Sequence, residues 1–89
     1  MKIENTADLQ VLLQTARGGS LSAAARALGM TPAAASAALK RLELQLGARL
    51  FERSTRAMRL TPQGQTMLDY AGRAFELLAE GEALVAADR

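Results

Sequence analysis

The sequence predicts a mainly α-helical fold, and composition is the first reason. Of the 89 residues, 19 are Ala and 15 are Leu, whereas Val occurs twice and Ile once. Ala and Leu lose little conformational entropy in a helix, and β-branched residues favour strands. The second reason is that apolar residues recur at helical spacing between the Gly and Pro residues that mark helix ends. A large all-β fold and a multidomain enzyme are therefore excluded.

The residue types that the sequence lacks exclude further classes of protein. Without Cys there is no disulfide framework or thiolate metal site, which suits a cytosolic protein. Without His, the commonest general base and metal ligand is missing. No apolar run approaches the roughly 20 residues of a membrane span, and the N-terminus lacks the apolar core of a signal peptide. With no Gly-rich phosphate loop either, we expect no enzyme, no metal and no cofactor.

The net charge of +2 conceals a strongly basic central segment. The net charge is −1 over residues 1–16, +6 over residues 17–59 and −3 over residues 60–89. A basic centre beside an acidic end is expected where one surface meets a polyanion. Solvated helix faces explain the same charges equally well, so charge alone leaves both interpretations open.

The first helix is predicted by its end signals and by one apolar face. Asn5 is placed as the N-cap, with Asp8 three residues later in a capping-box-like pair. Gly18 and Gly19 end the helix. Between these signals, apolar residues recur at helical spacing: Leu9, Leu12, Leu13 and Ala16.

A pair of helices joined by a tight turn follows. Ser22 or Ser20 caps a short Ala-rich helix, and Gly29 ends it where a left-handed conformation is needed. Thr31 caps the next helix, over 32–46, with Pro32 at a first position where the missing N–H does no harm. Helices joined by a turn of three or four residues with a Gly are typical of a helix-turn-helix. The alternative is an ordinary helical hairpin.

A short β-hairpin is the weakest of the predicted elements. Residues 50–53 and 58–60 alternate between apolar and polar side chains, and the segment between them has the composition of a turn. After a helix-turn-helix, such a hairpin would be a wing. An isolated hairpin is marginal in water, so we expect it to pack on the helices through Leu50 and Phe51. No acidic residue occurs between Glu52 and Asp69, and the hairpin carries three arginines: Arg53, Arg56 and Arg59.

A long final helix begins at Thr61-Pro62 and is predicted to extend over about 26 residues, to Ala87. Two apolar stripes run along it at heptad-like spacing. Because these stripes form a wider face than one small domain needs to cover, we expect the helix to pair with a second copy of itself. The alternative is that it folds back on its own domain. The residues expected to pair are Leu68, Ala71, Phe75, Leu77, Leu78 and Val85.

Six sequence motifs occur in a fixed order and spacing: Ser20-Leu-Ser-Ala-Ala-Ala-Arg-Ala-Leu-Gly, Thr31-Pro, Leu42-Glu, Leu46-Gly, Leu50-Phe-Glu-Arg53 and Leu60-Thr-Pro-Gln-Gly64. Together they resemble the N-terminal DNA-binding domain of LysR-type transcriptional regulators, over nearly the whole chain. The resemblance implies a winged helix-turn-helix over residues 1–60 and a linker helix over residues 61–89 that pairs antiparallel in a dimer. It also implies that the effector-binding domain is absent from this chain, as in a truncated form or a short stand-alone homologue.

The resemblance further implies a transcriptional regulator of the bacterial cytoplasm, associated with the nucleoid, that binds a promoter inverted repeat in double-stranded DNA. A small-molecule effector would act only through the missing C-terminal domain. The helix over 32–46 would enter the major groove, and Arg56 would enter the minor groove. The implied base-reading positions are Thr31, Pro32, Ala33, Ser36, Ala37, Lys40 and Arg56. The implied phosphate-contacting positions are Ser20, Leu21, Ser22, Arg53 and Thr55.

The sequence departs from many relatives in the helix over 32–46. Where they carry Gln, Arg or other polar residues, this chain has Pro32, Ala37 and Ala38. We therefore expect few direct contacts with base edges and a larger contribution of DNA shape to the specificity. A thymine-methyl contact by Ala33 or Ala37 is a hypothesis. Ser22 has an alternative role as N-cap. Arg41 and Glu43 are expected to tie this helix to neighbouring backbone.

Two alternatives stay open from the sequence alone. One is a helical protein-interaction or dimerisation module whose basic surface recruits an acidic partner, which would explain the long apolar helix but not the wing arginines. The other is a winged-helix domain from a different regulator family, which shares the DNA-binding chemistry and differs in how the dimer forms.

Overall fold

The computed structural model describes residues 1–52 and 58–88 and contains four helices and a two-stranded antiparallel sheet in that part of the chain. The mainly helical fold predicted from the sequence is confirmed, and the last helix has the predicted bounds. The elements in chain order are α1 (Thr6–Gly18), α2 (Leu21–Leu28), α3 (Pro32–Leu46), β1 (Phe51–Glu52), β2 (Arg59–Leu60) and α4 (Pro62–Ala87).

Polar caps determine where the helices begin, because each supplies an acceptor to a backbone N–H that the helix itself leaves unpaired. Asn5 Oδ1 accepts from the N–H of Ala7 at 2.9 Å at the start of α1. Ser20 Oγ accepts from the N–H of Ala23 at 3.0 Å, so Ser20 rather than Ser22 caps α2. The prediction that Asp8 forms a capping box with Asn5 is wrong, because the carboxylate of Asp8 is turned inward and is bound by Arg41.

The turn between α2 and α3 is closed by a left-handed glycine, as predicted. Gly29 has φ of 67°, a conformation that L side chains rarely adopt. The N–H of Met30 then donates to the carbonyl oxygen of Ala25 at 2.9 Å, which satisfies a carbonyl at the helix end. The chain therefore reverses within two residues and presents Thr31 as the cap of α3.

The core lies where α1, α2 and α3 meet, and small residues allow this close approach. Ala24 and Ala25 of α2 are almost completely buried. A Cβ atom on Gly18 would lie 2.7 Å from the Cβ of Ala23, closer than real Cβ atoms approach. The core residues are Leu9, Val11, Leu12, Ala25, Ala35, Ala38, Leu39, Leu42, Leu50, Phe51 and Ala71.

The hairpin pairs Phe51 with Leu60 and Glu52 with Arg59. Of the predicted arms over 50–53 and 58–60, Leu50 and Met58 lie just outside the strands, and Arg53 lies outside the described residues. Leu50 and Phe51 are buried in the core, which confirms the expectation that the hairpin is anchored through them. The position of β1 and β2 on the molecule is thus set by packing on the helices.

The start of α4 is fixed to the residues just before β1. The N–H of Thr61 donates to the carbonyl oxygen of Leu50 at 3.0 Å, and its hydroxyl donates to the carbonyl oxygen of Arg49 at 2.6 Å. Gly64 is buried against the same backbone, and a Cβ there would overlap the carbonyl group of Leu50. Only glycine fits at this crossing.

The two halves of α4 have different surroundings. Ala71 is buried in the core, and Met67 and Phe75 pack against it. From Glu76 to Asp88 every residue is exposed. The prediction that Ala71 contacts a second copy of the helix is therefore wrong, because Ala71 is only 2% exposed within the single chain. The fold-back alternative is correct for the first half of the helix only. Among the described residues, no helix is long and apolar enough to span a membrane.

Candidate nucleic-acid interface

One side of α3 is packed into the core and the other faces solvent. Ala35, Ala38, Leu39 and Leu42 are buried, and they follow one another at the three- and four-residue steps of a helix face. The predicted base-reading residues lie on the remaining surface. Thr31, Pro32, Ala33, Ala37 and Lys40 are exposed, and Ser36 is half-buried.

The first turn of α3 is stabilised by its own cap. Thr31 Oγ1 accepts from the N–H of Ala34 at 3.1 Å, and Pro32 occupies the first helical position. The carbonyl oxygen of Thr31 also accepts from the N–H of Ala35 at 3.0 Å. The N-terminal end of α3 is thus an ordered, exposed helix end, which is the part of a recognition helix that contacts base edges.

The residues predicted to contact phosphate at the start of α2 have three different surroundings. Ser20 is half-buried, and its hydroxyl oxygen is occupied by the cap of α2. Leu21 is half-buried and packs against the core, so its side chain is structural. Ser22 is exposed and does not cap the helix. Among these three, Ser22 offers the side chain most accessible to a ligand.

Three predicted site residues, Arg53, Thr55 and Arg56, lie outside the described residues. The strands on either side of this segment are described, with Glu52 and Arg59 paired in register at the last described pair. Arg59 is exposed, so at least one wing arginine is presented to solvent.

Two side chains of α3 hold the helix in place. Arg41 Nε and Nη2 donate to the two carboxylate oxygens of Asp8 on α1 at 2.9 and 2.7 Å. Glu43 Oε2 accepts from the N–H of Leu50 at 2.8 Å. The prediction that α3 is tied to neighbouring backbone is confirmed for Glu43. It is wrong for Arg41, whose partner is a carboxylate.

The Asp8–Arg41 pair is a fork of two charge-assisted hydrogen bonds to a buried carboxylate. Asp8 is about 1% exposed at its side chain and Arg41 50%. The hydrogen bond that Arg41 donates to Asp8, and then the negative charge of Asp8, raise the pKa of Arg41, so the guanidinium stays charged. The sequence contained a signal for this pair: Asp8 lies four residues before Leu12 and seven before Thr15, on the apolar face of α1. A charge at such a position needs a partner.

Four large aliphatic side chains are exposed on the second half of α4. Leu77, Leu78, Leu84 and Val85 are 59 to 67% exposed. Leu77, Leu78 and Val85 also line a shallow groove around Gly81. Of the residues predicted to pair with a second copy, Leu77, Leu78 and Val85 are available on one chain, while Leu68 and Phe75 are half-buried.

No group of three or more His, Cys, Asp or Glu residues that could hold a metal ion occurs in residues 1–52 and 58–88. The basic residues of the central segment that the structure describes are all exposed: Arg17, Arg26, Lys40, Arg41, Arg49 and Arg59. On α3 itself, the exposed Lys40 supplies positive charge, and the small exposed side chains allow a close approach to base edges.

The chain combines a helix-turn-helix, whose second helix is exposed, with an anchored hairpin and a long following helix. This combination places it in the class of helix-turn-helix DNA-binding domains. Sequence comparison gives the family. The model of the bacterial regulatory helix-turn-helix protein, lysR family, matches residues 6–65, and the chain belongs to this family. A winged-helix domain of another regulator family is thereby excluded.

Curated relatives with similar sequences are transcriptional regulators. An uncharacterized HTH-type transcriptional regulator of Sinorhizobium fredii is 48% identical over 73 residues, which cover 82% of this chain and 24% of that protein. The HTH-type transcriptional regulator PerR of Escherichia coli is 44% identical over 72 residues, covering 81% of this chain and 24% of PerR. The chain thus spans about a quarter of the length of these relatives.

Solved structures with the same fold include two DNA complexes. The DNA-binding domain of CbnR bound to DNA has a TM-score of 0.85 at 32% identity, covering 97% of this chain and all of that one. The DNA-binding domain of BenM bound to catB site 1 DNA has a TM-score of 0.79 at 26% identity, covering 96% of this chain and 91% of that one. The chain therefore has the fold of a LysR-type DNA-binding transcriptional regulator, which speaks against an enzyme.

Proposed function

We propose that this chain binds an inverted repeat in double-stranded DNA as a homodimer and so regulates transcription. The observation that carries the proposal is that α3 is buried on one side and exposed on the other. Its core-facing side is fixed by Ala35, Leu39 and Leu42, while Ala33 and Ala37 are exposed on the other side. A recognition helix needs this arrangement, because it must be held rigidly and still expose its N-terminal turns.

The dimensions of α3 support its insertion into DNA. The major groove is about 12 Å wide and admits an α-helix. Because Ala33 and Ala37 project only a methyl group, the backbone of α3 can approach the base edges closely. Lys40, one turn further along, is exposed and supplies a cation that can donate to the acceptors of a guanine edge.

For the wing, we propose that Arg56 enters the minor groove and that Arg53 and Thr55 contact phosphate. The support is the anchoring of the flanking strands through Leu50 and Phe51, together with the charge of a segment that carries arginines and no acidic residue. Narrow A·T-rich minor grooves concentrate negative potential and attract arginine.

For the dimer, we propose that the second half of α4 pairs with the same helix of a second chain, antiparallel as in the family. Four large apolar side chains on one exposed helix of a small domain are more than isolated surface residues. A helix with Gly81 in its interior also gains from a partner, because Gly weakens a helix by about 1 kcal/mol relative to Ala.

The curated relatives extend well beyond the matched region. For a longer protein that contains this domain, we propose that a small-molecule effector acts through a C-terminal effector-binding domain rather than through residues 1–89.

Fluorescence anisotropy with a labelled inverted-repeat duplex, A·T-rich between the half-sites, tests the proposal across a salt series. If the dimer neutralises about 6 to 8 phosphates, log K should fall against log salt with a slope of about −5 to −7, with two chains bound per duplex. Arg56→Ala should weaken binding. Arg73→Ala is the matched control, because Arg73 lies on α4, outside the basic central segment. Its guanidinium stacks there, 4.2 Å from the ring centroid of Tyr70.

The alternative function, a helical protein-interaction module with a basic surface, predicts a different result. Binding to DNA would then be weak and nearly independent of salt, and Arg56→Ala would behave as Arg73→Ala does. That outcome would overturn the DNA-binding proposal.

A further inference from the structure

The exposed face of α3 is unusually poor in groups that can distinguish hydrogen-bond donors from acceptors. Ala33 and Ala37 are exposed and lie four residues apart, so their methyl groups are neighbours on one helix face. No Asn, Gln, Arg or Glu precedes Lys40 within α3. The first two turns therefore present methyl groups where recognition helices commonly present amides or guanidinium groups.

The few polar groups on this face have little power to discriminate. The Thr31 hydroxyl accepts from the N–H of Ala34 with one lone pair, so it can still donate or accept one further hydrogen bond, and Pro32 has no N–H. Ser36 is half-buried, and its hydroxyl can donate a hydrogen bond or accept one. A hydroxyl that does both fits the O4 acceptor of thymine and the N4 donor of cytosine equally well.

In the major groove, a thymine differs from a cytosine in two features. Thymine has an O4 acceptor and a C5 methyl group, whereas cytosine has an N4 donor and a hydrogen at C5. Methylation of cytosine at C5 restores the methyl group and leaves the N4 donor. A surface that reads only the methyl group treats thymine and 5-methylcytosine alike.

We propose that Ala33 and Ala37 read the C5 methyl group of a pyrimidine, so that 5-methylcytosine replaces thymine at the contacted position and cytosine does not. The inference rests on the proposed insertion of α3 into the major groove. It adds to that proposal that the affinity of this domain for its DNA site depends on cytosine methylation.

The expected size of the effect follows from the burial of one methyl group. Transfer of a methyl group from water to an apolar contact corresponds to about a fourfold change in affinity for one half-site. A dimer on two half-sites should show about a 15-fold change when both methyl groups are removed.

The test uses duplexes selected by the protein from a randomised pool. Each thymine of the bound half-site is replaced by uracil, and the position with the largest loss is then rebuilt as four symmetric duplexes with T·A, U·A, 5-methylcytosine·G and C·G pairs. We expect the T-to-U affinity ratio and the 5-methylcytosine-to-C ratio to agree, each at about 15-fold for the dimer. Thymine-to-uracil changes in the flanking sequence are the control and should have no effect.

Protein variants assign the effect to the two alanines. In Ala33→Gly and Ala37→Gly, measured separately, the T-to-U ratio should fall towards one in at least one variant. Ala27→Gly, at an exposed position of α2, should keep the wild-type ratio. Because each ratio is taken within one variant, a loss of protein stability cancels.

The outcomes separate the two proposals. If the wild-type chain selects no duplex, the proposed DNA binding fails. If it binds DNA, but uracil replaces thymine without loss or 5-methylcytosine binds no better than cytosine, the methyl-reading inference alone is overturned. A ratio unchanged in both glycine variants would also overturn it.

Discussion

Asp8 shows how a single residue was misassigned by a local rule. Its spacing from Asn5 fits a capping box, but its side chain is buried and bound by Arg41, 33 residues later in the chain. Capping rules concern neighbouring residues, whereas this partner is provided by the packing of α1 on α3. The pair links α3 to α1, which also contacts α4.

We expect Asp8→Asn to lower the melting temperature of the domain by several degrees, because the amide cannot replace two charge-assisted hydrogen bonds to the guanidinium. Thermal melting followed by circular dichroism measures the change. Glu4→Gln is the control, because Glu4 is exposed and should melt as the wild type does. Equal melting of Asp8→Asn and the wild type would show that the pair does not stabilise the fold.

Thr15 presents the opposite case, a buried hydroxyl without a hydrogen-bond partner among the described residues. Thr15→Val keeps the shape and removes the unpaired group, so the domain should gain about 1 kcal/mol and melt about 4–8 °C higher. Thr66→Val, at an exposed position of α4, should raise the melting temperature much less. A Thr15→Val domain that melts lower than the wild type would show that its hydroxyl is satisfied.

At the level of elements, helix bounds followed from local sequence signals. Thr31-Pro32 and Thr61-Pro62 begin α3 and α4 at the predicted residues, because a cap and a proline act on the adjacent backbone. The choice between Ser20 and Ser22 as the cap of α2 was undecided, since both residues have the required hydroxyl. Packing of Leu21 against the core is consistent with the choice of Ser20.

The junction of α4 with the segment before β1 gives the prediction at this level. A Cβ on Gly64 would overlap the backbone of Leu50, whereas a Cβ on Gly72 meets nothing within 4 Å. Gly64→Ala should therefore destabilise the domain by about 1–3 kcal/mol, as overpacking does. Gly72→Ala should stabilise it by up to about 1 kcal/mol through helix propensity. Urea unfolding of both variants tests this contrast in sign, and a Gly64→Ala domain as stable as the wild type would contradict it.

For the whole molecule, the distribution of charge and apolar surface indicates two separate functions. The basic residues lie in the segment from Arg17 to Arg59 that contains α3, and the acidic residues concentrate on α4. Four large exposed aliphatic side chains lie together on the second half of α4. One part of the chain is thus suited to DNA and the other to a second copy.

We expect Leu78→Glu to weaken the dimer by at least about 100-fold, because each dimer would lose two buried leucine side chains and gain two desolvated charges. Sedimentation equilibrium of the free protein measures the dissociation constant. Leu44→Glu is the matched control, since Leu44 is 82% exposed but lies on α3. Equal dissociation constants for the two variants would place the dimer interface away from Leu78.

The sequence by itself determined the starts of α3 and α4, the tight turn at Gly29, and the anchoring of the hairpin through Leu50 and Phe51. These features follow from caps, turn residues and apolar periodicity, which act over a few residues. The tertiary structure decided that Arg41 binds Asp8, that Ala71 belongs to the core and that only the second half of α4 is left uncovered. Those outcomes depend on which helices meet in space, and the packing of residues far apart in the chain is not encoded in any one local pattern.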